Sequence, residues 1–133
     1  MIPIEQVYET FEPWGVGDYQ PLLKSMGYEI VLQVDDQDYH GDSRLILRDG
    51  DRYGLLIFGW GSCSGCDALC ACDSLKEVAE LREELHDSII WKDSRHEMLE
   101  FFVNREWDLQ YSWHAEETRD FIEKGKEVLS CKQ

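Results

Sequence analysis

Long apolar runs are missing from this 133-residue chain. The longest, Leu55-Leu56-Ile57-Phe58, is far too short to cross a bilayer. Met1-Ile2-Pro3-Ile4-Glu5-Gln6 offers no basic n-region and no apolar h-region, so no signal peptide is expected. The expectation is a protein kept in the cytoplasm. Cations are few as well: 13 Lys and Arg face 28 Asp and Glu, a net charge of −15. Such a domain repels phosphate backbones and anionic lipid, which argues against direct nucleic-acid or membrane contact. Proline is restricted to Pro3, Pro13 and Pro21. Repeats, low-complexity stretches and linkers are absent, so residues 1–133 read as a single domain. Gly59-Trp60-Gly61 has neither the third glycine nor the basic residue of a phosphate loop, and no Ser–His–Asp set can be assembled from spacing.

What is present is enough apolar and aromatic material for a core: 43% hydrophobic, with five Trp, six Tyr and five Phe. Residues 5–12 read as a short helix stopped by Pro13, and 19–26 as a helix capped by Gly27. Alternating, β-branched residues mark a strand over 28–34. Runs at 44–48 and 52–60 flank Asp49-Gly50, a hairpin signal. Ser74-x-x-Glu77 and Ser94-x-x-Glu97 are capping boxes. The first opens a helix with Leu75, Val78, Leu81 and Leu85 inward, the second one with Leu99, Phe102 and Val103 inward. Residues 88–91 form a short strand. Trp107, Leu109, Tyr111 and Trp113 alternate with polar residues as a half-buried strand would, and a last helix covers 114–129. The expected fold is α+β. It is a central, mostly antiparallel or mixed sheet of about five strands with helices packed on it, and a cysteine-rich loop between the third strand and the next helix.

Five cysteines is an odd number, and Cys63, Cys66, Cys70 and Cys72 crowd into ten residues, whereas a disulfide framework spreads its cysteines. The C-x2-C-x3-C-x-C loop follows a buried strand. A Cys-x-x-Cys turn converges two sulfurs, half of many zinc sites. Cys70 joins Cys66 if the two are one helical turn apart, with Cys72 less aligned. His114, or else Asp67, is a candidate fourth ligand. Zinc is therefore the expected cofactor, on Cys63, Cys66, Cys70, Cys72 and His114. Redox-active thiols and inert buried thiols are the other two readings.

Resemblances bear on the loop. An apolar strand, a Trp and Cys-x-x-Cys before a helix resemble the thioredoxin active site over about residues 55–85, but no proline follows the motif to supply that family's cis-proline. His114-Ala115-Glu116 with Cys63-x-x-Cys66 resembles the elements of zinc deaminases, in reversed order and with Ser62 in place of their proline. Gly61-Ser62-Cys63-Ser64-Gly65-Cys66-Asp67-Ala68-Leu69, the acidic helix and Tyr111-Ser112-Trp113-His114 resemble uncharacterised small acidic proteins of phages and bacteria over roughly residues 50–129. That resemblance implies a phage or prophage origin without supplying a mechanism.

Acidic residues cluster at Asp35, Asp36, Asp38 and Asp42 after a strand, and at Glu77, Glu80, Glu83, Glu84 and Asp87 along a helix. Solubility alone is one explanation; a cationic partner is the other. The expected function is a zinc-stabilised interaction protein without catalysis. It would bind or inhibit a host or phage protein with a basic surface, such as a defence or nucleic-acid-handling protein, through Asp35, Asp36, Asp38, Asp42 and Trp60. The alternative is a metal- or thiol-dependent enzyme using the cysteine loop.

Overall fold

The computed structural model describes residues 1–8, 19–37, 40–61, 67–107, 109 and 114–130. Strands β1 (Glu29–Asp35), β2 (Gly41–Asp49), β3 (Arg52–Trp60) and β4 (Ile90–Lys92) form one sheet in the order β1-β2-β3-β4, each neighbour antiparallel. Helices α1 (Ile4–Val7) and α2 (Gln20–Ser25) precede it. Helices α3 (Leu75–Asp87), α4 (Arg95–Asn104) and α5 (Ala115–Ser130) alternate with β4 and follow it.

The α+β class and the antiparallel pairing agree with the sequence, but among the described residues there are four strands rather than about five. The expected fifth, over 107–113, falls mostly outside the described residues, and Trp107 and Leu109 belong to no strand. Trp107 instead donates its indole N–H to the Phe102 carbonyl at 3.1 Å and packs edge-on against Phe102 and Phe121. Trp107 is thereby partly buried against the helix layer without strand pairing.

The hydrophobic runs on β2 and β3 are continuous because both sheet faces are covered. Residues Ser43 to Leu47 are all buried, as strands sandwiched between helices must be. Leu45, Leu47, Leu56 and Phe58 face α1, α2 and α3, joining Leu22, Leu23, Val78 and Leu85. Ile46 and Leu55 face the other way, onto Met98, Phe102, Phe121 and Leu129 of α4 and α5. Each fully buried Leu or Phe stabilises the fold by about 1.5–3 kcal/mol, so two cores suffice without a staple.

Local chemistry sets the element ends. Gly50 has φ +62° in the two-residue link that joins Asp49 to Arg52, the conformation such hairpins demand. Ser74 and Ser94 cap α3 and α4 by accepting the amides of Glu77 and Glu97 at 3.2 and 3.1 Å. Both glutamates reach back to the amide one residue before the cap, on Asp73 and Asp93. In α4 the inward positions are Met98 and Phe102. Val103, expected inward, is exposed, because the buried stripe at four-residue spacing leaves it a turn's fraction outside. No helix of the described residues is long and apolar enough to cross a membrane.

Candidate functional site

The chemistry-bearing residues collect at one end of the sheet, where β1 and β3 finish and β2 begins. The base of the cysteine loop is fastened there by Asp67, a buried carboxylate. Its Oδ1 accepts the Tyr19 hydroxyl at 2.8 Å and the Gly61 amide at 3.0 Å, and its Oδ2 accepts the Cys70 amide at 2.9 Å. The Tyr19 oxygen in turn accepts the Leu69 amide at 3.2 Å. Residues 67–72 continue as a single turn, with Ala71 N–H to the Asp67 carbonyl and Cys72 N–H to that of Leu69. One carboxylate thus ties the strand end, the turn and the start of α2. Burial, then the bond to Asp67, pushes the Tyr19 phenol well above its ordinary range.

Asp67, weighed from the sequence as a fourth zinc ligand, has both oxygens committed to loop closure. Cys63 and Cys66 lie outside the described residues. Cys72 is 5% exposed, belongs to the α1–α3 core and points its thiol at the Ala68 carbonyl, 3.3 Å away. Burial, with Glu77, Asp67 and Asp73 next in effect, pushes that thiol up and holds it protonated. Buried in the core with its thiol on a backbone carbonyl, Cys72 is placed as a core thiol. His114 stands elsewhere. It interacts with Asp36, whose carboxylate binds Arg44, and Arg44 pairs in register with Val34 on the α4–α5 face of the sheet. Cys72 is on the opposite face. Of the zinc set drawn from the sequence, the described residues place His114 apart from Cys72.

Asp36 is also not part of an open acidic surface. It is 3% exposed; Oδ1 accepts from Arg44 Nη1 at 2.7 Å and Oδ2 from the Asp42 amide at 2.8 Å. His114 Nε2 lies 3.8 Å from Asp36 Oδ2, and its Nδ1 lies 3.6 Å from Glu117 Oε1. Asp36, His114 and Glu117 are the one group among the described residues whose ligand atoms are close enough together to hold a metal ion. The Arg44 guanidinium already neutralises Asp36 and would repel a cation beside it. The arrangement therefore reads as an ion-pair network that anchors the start of α5 to the β1–β2 connection.

In front of this network, on the α1–α3 face, a cavity of about 310 Å³ opens among Tyr19, Gln20, Gln33, Asp35, Asp36, Gln37, Ser43 and Trp60. Asp35 pairs with Ser43 and Gln33 with Leu45 across β1 and β2, which puts both polar side chains on that face. Gln20 Nε2 donates to Gln33 Oε1 at 2.6 Å, and Gln33 Nε2 donates to the Asp35 carboxylate at 3.0 and 3.3 Å. The Trp60 indole N–H donates to Ser43 Oγ at 2.9 Å. Asp35 and Trp60, two residues the sequence singled out for partner contact, meet here. Asp42 is exposed but does not line the cavity, and Asp38 lies outside the described residues. A larger cavity of about 770 Å³ sits at the other end of the sheet, where Arg48 and Arg95 face Glu29, Asp51 and Asp93. Two cations there offset most of three anions and leave a lining of mixed charge, so size does not make it the better site.

Sequence reasoning missed Tyr19, Gln20, Gln33, Gln37 and Ser43. A signal existed: Gln33 and Asp35 sit two apart on a strand face that is otherwise apolar, and polar residues at inward positions near a strand end mark a lined cavity. No family model, no curated protein and no solved structure matches this chain.

Proposed function

We propose that the protein is a non-enzymatic interaction protein that docks on a basic surface of a partner protein. The observation that carries this reading is the outer face of α3. Glu77, Glu80, Glu83, Glu84 and Asp87 are exposed along one helix, with Lys76 the sole exposed cation of that helix. Its other cation, Arg82, is turned inward to the Ile2 carbonyl and Ser25 Oγ. A solvated surface needs charge but not charge of one sign on one helix, and α5 mixes Glu116, Glu117, Asp120, Glu123 and Glu127 with Arg119, Lys124 and Lys126. A single-sign face raises encounter rates with a cationic partner by roughly 10–10³-fold, and it does so less at high salt. The resemblance of the loop segment to small phage proteins favours a host protein as the partner. Zinc on Cys63, Cys66 and Cys70 would add stability to the loop; docking through α3 does not require it.

The test compares two variants of equal net charge. Glu80→Lys, Glu83→Lys and Glu84→Lys together change α3; Glu116→Lys, Glu123→Lys and Glu127→Lys together change α5. Partner capture from the host lysate is expected to fail for the α3 variant alone. Equal loss from both would show that only overall charge matters, and the face-specific reading would be abandoned. The competing reading, a thiol or metal enzyme on the loop, predicts instead that Cys63→Ser with Cys66→Ser abolishes function while leaving α3-dependent capture intact.

A further inference from the structure

We infer that the cavity bounded by Tyr19, Trp60, Gln33 and Asp35 is a receptor for one arginine side chain of a partner protein; the inference rests on the docking reading above and names what the acidic protein grips.

The cavity's shape and chemistry decide the ligand class. At about 310 Å³ it is at the lower edge of small-molecule pockets, which run roughly 300–1,000 Å³. It fits a side chain better than a nucleotide. Its lining contains no Lys or Arg, two carboxylates, three glutamines, a serine and two aromatic rings. Asp36 contributes little net charge because Arg44 neutralises it at 2.7 Å. Asp35 is the operative anion. Its carboxylate accepts from Gln33 Nε2 on both oxygens, and two oxygens carry about four lone-pair sites, so acceptor capacity is left on the far side. Gln33 is itself fixed by Gln20. This relay orients the carboxylate before a ligand arrives, which lowers the ordering cost of binding.

Arginine fits this set better than lysine. A guanidinium is planar, weakly hydrated and able to engage a carboxylate with two parallel N–H groups while stacking on an aromatic ring. The site offers a held carboxylate and aromatic walls. Tyr19 is fixed by Asp67 and by its 4.9 Å contact with Phe58, and Trp60 by its bond to Ser43. An ammonium would have to shed a tighter hydration shell for a single point contact. The α3 face then supplies long-range attraction, and this cavity supplies a specific anchor of the kind that dominates interface energetics.

The probes are three blocked tripeptides, Gly-Arg-Gly, Gly-Lys-Gly and Gly-citrulline-Gly, titrated into the full-length ¹⁵N-labelled protein. The readouts are the Trp60 indole and Gln33 side-chain amide signals. The arginine peptide is expected to shift both saturably, and Asp35→Asn to weaken it about tenfold or more. Asp35 is only partly buried, so that variant should fold; Gln33→Ala, which removes the orienting donor, is the second variant and should also weaken binding. Equal response to citrulline, equal response to lysine, or undiminished binding by both variants would each overturn the assignment. The α3 triple variant is expected to retain arginine binding. If arginine binding is silent while partner capture still depends on α3, the cavity assignment fails and the docking reading stands. If arginine binds while capture ignores α3, the docking reading fails instead.

Discussion

Tyr19 and Asp67 lie 48 positions apart, and the phenol donates to the carboxylate at 2.8 Å in a buried setting. That single bond joins the segment before α2 to the root of the cysteine loop. Tyr19→Phe removes it and also strips the acceptor from the Leu69 amide. A buried polar group left without its partner costs about 1–3 kcal/mol. The expected result is a loss of that size in urea unfolding with an unchanged slope. Faster amide exchange should appear at Gly61, Leu69 and Cys70 before it spreads elsewhere. Exchange that rises uniformly would show that Asp67 does not fasten the loop.

The same neighbourhood predicts an alkaline limit. Tyr19 and Cys72 are both pushed up, chiefly by burial. In the unfolded chain a thiol and a phenol ionise at about 8.5 and 10 respectively. Because the folded state holds both protons more tightly, the stabilisation they give is complete below about pH 8. It declines as the unfolded groups begin to ionise, through roughly pH 8.5–10 and above. Melting temperature should therefore be flat on this account near neutrality and fall on the alkaline side. Cys72→Ala should remove the earlier part of that fall and Tyr19→Phe the later part. A fall of the same shape in both variants would assign the alkaline limit to other groups.

Arg44 and Asp36 form a buried pair at 2.7 Å. Arg44→Met leaves Asp36 charged in the interior without its counterion, an error that costs about 3–5 kcal/mol. Replacing both, as Arg44→Met with Asp36→Leu, removes the charge as well as the pair. The double variant is expected to be less destabilised than the sum of the singles, by an amount a double-mutant cycle reads directly. Additive losses would mean that each residue acts through other contacts. His114 and Glu117 flank Asp36, so the same variants should loosen the first turn of α5 in amide exchange.

Much of the frame was legible because it is written in short-range chemistry. The Asp49-Gly50 turn and the two Ser-x-x-Glu boxes are each decided by residues within four positions of one another, and the 52–60 strand by its own apolar run. The burial of Asp36 is not of that kind. It follows from Arg44 returning on the next strand, and an Asp-rich stretch reads as solvated until that partner is placed. Tyr19 with Asp67 and Gln20 with Gln33 likewise depend on how α2 sits across the sheet, which no local pattern encodes. The separation of His114 from Cys72 was hidden for the same reason. Cysteine spacing describes the loop, whereas the sheet separates His114 from Cys72 and puts them on opposite faces.

Gly125 of α5 lies directly against the Phe102 ring of α4. A Cβ at Gly125 would collide with the Phe102 ring, touching Cζ and Cε1. That ring is locked between Phe121 and Trp107 at centroid distances of 5.5 and 5.1 Å. Two effects oppose each other in Gly125→Ala. Alanine in a helix interior gains about 1 kcal/mol of propensity over glycine, and forcing a methyl into a filled core costs about 1–3 kcal/mol. With the ring held on both sides, overpacking should win and the variant should be less stable. Phe102→Leu on its own leaves a gap and is destabilising as well. In the double variant the new methyl occupies part of that gap, so the two losses should fall short of additivity by about 0.5–3 kcal/mol. Thermal or urea unfolding of the four proteins reads this cycle. A Gly125→Ala protein more stable than the parent would mean that the Phe102 ring can swing aside. Helix propensity rather than contact would then decide the position.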